Sequence, residues 1–143
     1  MTREKFIEIC DRKEKLVRNE LGLSQERMSV LLGVSKKTLV EIEKWRSSLG
    51  WQGAVTLCTL FQNTREITLT FGPDVPALLR ALSQEAAYLP PVESPHAQWV
   101  TILDLGGKLI QQNTASQLYR LWYNGETLGS DFELSELRKR LNL

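Results

Sequence analysis

Residues 25–44 read QERMSVLLGVSKKTLVEIEK, and this stretch decides the fold of the first half of the chain. Two helices pack at a steep angle through a tight turn when three conditions hold. The facing positions must be apolar, the turn needs a residue free to adopt positive φ, and the closest helix contact needs a small side chain. Met28, Leu32, Val34, Leu39 and Ile42 supply the apolar set, Gly33 the turn and Ser29 the small residue. Ser24 is placed to cap the first of these helices, with Glu26 in its first turn and Met28, Leu31 and Leu32 as its buried residues. Ser35 caps the second, which is expected to run to about Arg46.

Upstream, Phe6, Ile9, Cys10, Leu16, Val17 and Leu21 form a helical stripe from about Arg3 to Leu21, closed by Gly22. Downstream of Gly50, Trp51, Ala54, Val55, Leu57, Cys58 and Phe61 predict a strongly apolar fourth helix. Ile67, Leu69 and Phe71 alternate with polar residues and predict a short strand or extended segment. A turn at Gly72-Pro73-Asp74 leads into a fifth helix, capped by Asp74 and reaching about Ala87.

The proline-containing stretch 89–98 reads as a linker. Beyond it the pattern turns to strands. Trp99–Leu105, with Trp99, Thr101, Leu103 and Leu105 on one face, pairs through Gly106-Gly107 with a strand at Lys108–Gln112. Leu118–Tyr123 and the type I′ signal Asn124-Gly125 give a second hairpin. Leu134, Leu137 and Leu141, with Arg138-Lys139-Arg140, make a closing amphipathic helix. The expected fold is therefore mainly α: a five-helix domain at 1–88, a linker at 89–98 and a small α+β unit at 99–143.

Composition narrows the function classes. Hydrophobic (42%) and charged (24%) fractions are those of a globular protein. No run of eighteen apolar residues exists, and the charged N-terminus MTREKFIEICDRKEK lacks a signal-peptide core, so a cytoplasmic location without membrane contact is expected. Net charge is +1, but residues 1–48 hold eleven Lys/Arg against eight Asp/Glu, a local excess of +3. Cys10 and Cys58 are expected to be buried free thiols. His96 is the sole histidine and has no ligand cluster around it, so it reads as a surface residue and no metal or cofactor is expected. The sequence has no phosphate loop, nucleophile elbow or Cys–His pair, and an enzyme is not expected. Trp45 and Trp51 are read as core. Trp99 and Trp122 are read as packing within the strands or at a dimer contact. Arg138–Arg140 is read as a solvated last helical turn rather than a phosphate clamp.

The stretch LGLSQERMSVLLGVSKKTLVEIEK resembles the helix-turn-helix of the Cro/repressor-type (XRE) regulators over about residues 3–62. Gln25, Gly33, Val34-Ser35 and Ile42-Glu43 carry the likeness. Ser29 stands where that family usually has alanine, and Lys44-Trp45 where it usually has glycine. The resemblance implies a helix in the DNA major groove, near Ser35–Lys44. With Leu39 and Ile42 inward, the outward strip is Lys36, Lys37, Val40, Glu41 and Lys44. Lysines there bond guanine or phosphate, Val40 meets a thymine methyl and Glu41 accepts from cytosine N4. Gln25 is implied to bond a phosphate beside its helix N-terminus. Thr38 either reaches a phosphate or supports the helix end.

The expected function is sequence-specific transcriptional regulation by a homodimer on a two-fold symmetric site in double-stranded DNA. Residues 99–143 are expected to serve dimerisation, sensing of a small effector or binding of a protein partner. The alternative is an antitoxin-like autoregulator whose C-terminal part binds a partner protein.

Overall fold

A computed structural model of the 143-residue chain describes residues 1–90 and 98–143. Most of the expected linker, His96 included, lies outside the described residues. The chain divides into two compact units at Pro90/Pro91.

Unit 1 is all α, with six helices where the sequence predicted five and a strand. α1 (Arg3–Glu20), α2 (Gln25–Leu32), α3 (Lys36–Glu43), α4 (Gly50–Leu60), α5 (Arg65–Phe71) and α6 (Val75–Ser83) follow in order. The predicted strand is α5. Ile67 and Phe71 are spaced both for period-two alternation and for one turn of helix (i, i+4), and end-capping decides between the two. The Thr64 hydroxyl accepts from Ile67 N, and the Glu20 carboxylate accepts from the backbone N–H groups of Arg65 (2.9 Å) and Glu66 (3.0 Å). A carboxylate carried on α1 therefore sits on the positive end of α5. Ile67 is buried, Phe71 packs on Phe6 with ring centroids 5.3 Å apart, and Leu69 faces water.

α1 packs against α3, α4 and α5, and its buried side chains are Phe6, Cys10, Glu14 and Val17. Leu16 and Leu21, expected in that stripe, are exposed, as is Leu31 on α2. Met28, Leu32, Leu39, Ile42, Leu57, Ile67 and Val75 complete the core. Cys10 and Cys58 are buried free thiols with Sγ atoms 3.6 Å apart. α6 is capped by Asp74, whose carboxylate accepts from Ala77 N, and it ends at Ser83, short of the expected Ala87. Leu82 is the last buried residue of unit 1, so residues 84–90 have no buried side chain to hold a further helical turn. Trp51 packs edge-on against Phe6, but Trp45 is 68% exposed and is not part of the core.

Unit 2 is a four-stranded antiparallel meander of β1 (Trp99–Leu105), β2 (Lys108–Asn113), β3 (Tyr119–Tyr123) and β4 (Glu126–Asp131), followed by α7 (Leu134–Arg140). Gly106-Gly107 and Asn124-Gly125 all take positive φ, as two-residue hairpins require. A bulge between Thr101 and Leu103 corrects the expected alternation in β1. Thr101 pairs with Gln111 and Leu103 with Ile110, so they lie on opposite faces. One face buries Ile110 and Leu121, with Leu137 of α7 also buried. On β4, a Cβ at Gly129 would lie 3.2 Å from the Leu141 side chain, so the helix end sits tight on the strand. On the other face the Arg120 guanidinium stacks between Trp99 and Trp122, 3.9 Å from each ring centre, and donates to Gln111 Oε1. Arg140 pairs with Asp131 at 3.0 Å and Lys139 with Glu136 at 3.6 Å. No helix among the described residues is long and apolar enough to cross a membrane.

Candidate nucleic-acid interface

α2 and α3 are joined by a three-residue connection whose geometry follows from its residue types. Gly33 sits in the left-handed region (φ 72°), its N–H bonds Val30 O, and Val34 N–H bonds Ser29 O. These two bonds close α2 and leave the chain free to start α3 at once. The Ser35 hydroxyl caps α3 by accepting from Thr38 N at 3.0 Å and also donates to Thr38 Oγ1 at 2.9 Å. Both hydroxyls thus serve the start of α3. Ser29 is buried, and its hydroxyl donates to Glu26 O at 2.7 Å, so it combines small size with a satisfied polar group.

α3 seats Leu39 and Ile42 in the core and turns its other side outward. Ser35, Lys36, Lys37 and Lys44 are exposed, while Thr38, Val40 and Glu41 are half-buried. The predicted strip is therefore contiguous on the helix surface. Its ion pairs are long and solvated: Lys36 to Glu26 at 3.7 Å and Arg46 to Glu41 at 4.0 Å. Such contacts hold these cations weakly and leave them free to meet an external anion.

A buried polar network missed by the sequence reading holds α3 to α1. Arg18 grips Glu43 through Nε (2.7 Å to Oε1) and Nη2 (3.3 Å to Oε2), and its Nη1 donates to Leu23 O at 3.1 Å. Gln25 Nε2 donates to the same Glu43 carboxylate. Its amide retains a second N–H beside the start of α2. One turn before Arg18, Glu14 is fully buried, and neither of its oxygens has a hydrogen-bond partner. Burial first, then the nearby Glu43 charge, pushes the Glu14 carboxyl up to about 8. Burial works the same way on Glu43, but the hydrogen bonds from Arg18 and Gln25 outweigh it and hold its pKa below the ordinary range. Glu14 thus keeps its proton at neutral pH while Glu43 is ionised. A signal for this existed in the sequence, because Phe6, Cys10, Glu14 and Val17 share one helical stripe and a carboxylate stands in it.

An open apolar depression lined by Leu23, Arg27, Val30 and Leu31 lies on the outer side of α2. Among the described residues no group of three or more His, Cys, Asp or Glu side chains is placed to hold a metal ion. No protein-family model, curated protein or solved structure gives a significant match to the chain.

Proposed function

We propose that unit 1 binds double-stranded DNA by laying α3 in the major groove, and that the protein is a cytoplasmic transcriptional regulator acting as a homodimer. The observation that carries this reading is the pairing of α2 with α3 through a left-handed Gly33. It holds Leu39 and Ile42 inward and leaves exposed Lys36, Lys37 and Lys44, with half-buried Val40 and Glu41 between them, on one outward strip. A short helix packed on its domain by one side, with three cations on its outer side, suits the width and charge of the major groove. Gln25 supports the reading as well, since its free amide N–H stands at the start of α2, where a phosphate is favourably held. The Arg18–Glu43–Gln25 network fixes α3 against α1 and α2, so the strip is preorganised for contact.

One helix reads only a few base pairs, and a symmetric pair is the economical route to useful specificity. Selection of bound sequences from a random duplex pool tests this. The expected result is a two-fold symmetric motif with half-sites about one helical turn apart. Recovery of no enriched sequence at moderate salt would overturn the reading.

A further inference from the structure

Among the described residues four helices close with the same pair of backbone hydrogen bonds, and one of them breaks the residue rule for that closure. α1 ends with Gly22 N bonded to Asn19 O and Leu23 N to Arg18 O, with Gly22 at φ 64°. α2 repeats this at Gly33, and α7 in unit 2 repeats it at Asn142 (φ 55°). α3 uses Trp45: Trp45 N bonds Ile42 O at 3.1 Å, Arg46 N bonds Glu41 O at 2.9 Å, and φ is 64°. Glycine takes this left-handed position without steric penalty and asparagine tolerates it, but a bulky side chain does not. Burial of the indole could offset the strain, yet Trp45 is 68% exposed, and among the described residues no aromatic ring or cation stacks on it. Among the described residues, neither burial nor stacking offsets the strain at Trp45.

The charge around it indicates the chemistry of a partner. Trp45 stands between Lys44 and Arg46, both exposed, at the end of the helix that also carries Lys36 and Lys37. A large aromatic set among cations suits a surface that is anionic and also offers apolar C–H area. A nucleic-acid backbone has both, in its phosphate oxygens and its sugar rings. We infer that Trp45 is a DNA-contacting residue, its indole N–H donating to a phosphate oxygen and its ring lying on the adjoining deoxyribose. This rests on the duplex-DNA reading of α3. It adds an apolar, orienting contact at the end of the helix, on a residue held in a backbone conformation that is strained for a bulky side chain.

The test uses the full chain, the duplex recovered by selection, and three variants: Trp45→Gly, Trp45→Phe and the double change Lys36→Ala/Lys37→Ala. Trp45→Gly should raise the thermal midpoint by a few degrees, because glycine relieves the left-handed strain. The same variant should lose about tenfold or more in affinity for the duplex, a loss typical of truncating an aromatic contact. Trp45→Phe should fall between Trp45→Gly and the wild type, keeping the ring contact but not the N–H donor. Opposite signs in stability and affinity are the signature, since a merely structural residue would lose both together. If the lysine variant weakens while Trp45→Gly binds as the wild type does, the inference falls and the placement of α3 stands. If the wild type shows no salt-sensitive binding to any duplex, both fall. A lower thermal midpoint for Trp45→Gly would assign Trp45 to the fold, and a change in sedimentation without DNA would assign it to a protein contact. Either result overturns the inference.

Discussion

Arg18 in unit 1 and Arg120 in unit 2 are both partly withdrawn from water, and they are held there by different means. Arg18 in unit 1 meets the carboxylate of Glu43, and side-chain exposures of 13% and 4% mark the pair as nearly dry. Arg120 in unit 2 meets no carboxylate among the described residues. It lies between two indole faces and shares two N–H groups with the neutral oxygen of Gln111. Burial lowers the pKa of Arg120, yet a guanidinium so arranged stays charged. An ion pair in a dry setting is directional and ties particular elements together, here α1 to the end of α3. A stacked cation fills the space between side chains of a sheet that backbone pairing already holds in register. The difference is between fastening two elements and finishing one surface.

Removing the charge from each site sharpens that contrast. Arg18→Met should destabilise unit 1 by about 3–5 kcal/mol, because it leaves Glu43 buried without its cation and beside Glu14. Arg120→Met leaves no charge unpaired and substitutes one apolar stem for another, so about 1–2 kcal/mol is expected. Urea unfolding of the variant chains, followed by amide hydrogen exchange resolved to individual residues so that each unit is read by itself, measures both. Equal losses, or the reverse order, would break the distinction between fastening and finishing.

A smaller effect of opposite sign is expected at Glu14. In the folded state its carboxyl keeps the proton up to about pH 8, while in the unfolded chain it loses it near the ordinary 4.5. Between these values the folded state binds more protons, so the Glu14 contribution is complete below 4.5 and is lost as pH rises through 8. Glu43, held below its ordinary range, works the other way: its contribution is present above 4.5 and disappears as pH falls through its lowered value. Glu14→Gln mimics the protonated acid at every pH. It should therefore flatten the decline between pH 4.5 and 8 and add about 1–2 kcal/mol of stability at pH 8. Parallel pH–stability curves for the variant and the wild type would show that Glu14 titrates normally.

Local chemistry made most of the elements readable. Ser24, Ser35 and Asp74 announce their helices because each carries an oxygen at the cap position, and Asn124-Gly125 announces a hairpin because both residues accept positive φ. The outward strip of α3 was legible for a similar reason, since the buried positions Leu39 and Ile42 fix which side remains. What stayed hidden depends on partners distant in the chain. The capping carboxylate of α5 comes from Glu20, 45 residues before Arg65, so the segment around Ile67 read as a strand. Glu14, Arg18, Gln25 and Glu43 meet only after three helices have packed. The bulge at Ile102, which sends Leu103 to the face opposite Thr101, likewise has no mark in the alternation of β1.

The placement of α3 in the major groove is tested most directly by the salt dependence of binding to the selected duplex. The wild type and Lys36→Ala/Lys37→Ala are compared across about 50–200 mM salt. If the lysines meet the duplex, the variant should bind more weakly by about 1–3 kcal/mol where a lysine reads a base. Its plot of log affinity against log salt should also be shallower, by about 0.9 for each phosphate that the variant no longer neutralises. Affinity and slope both identical to those of the wild type would contradict the placement of α3 against DNA.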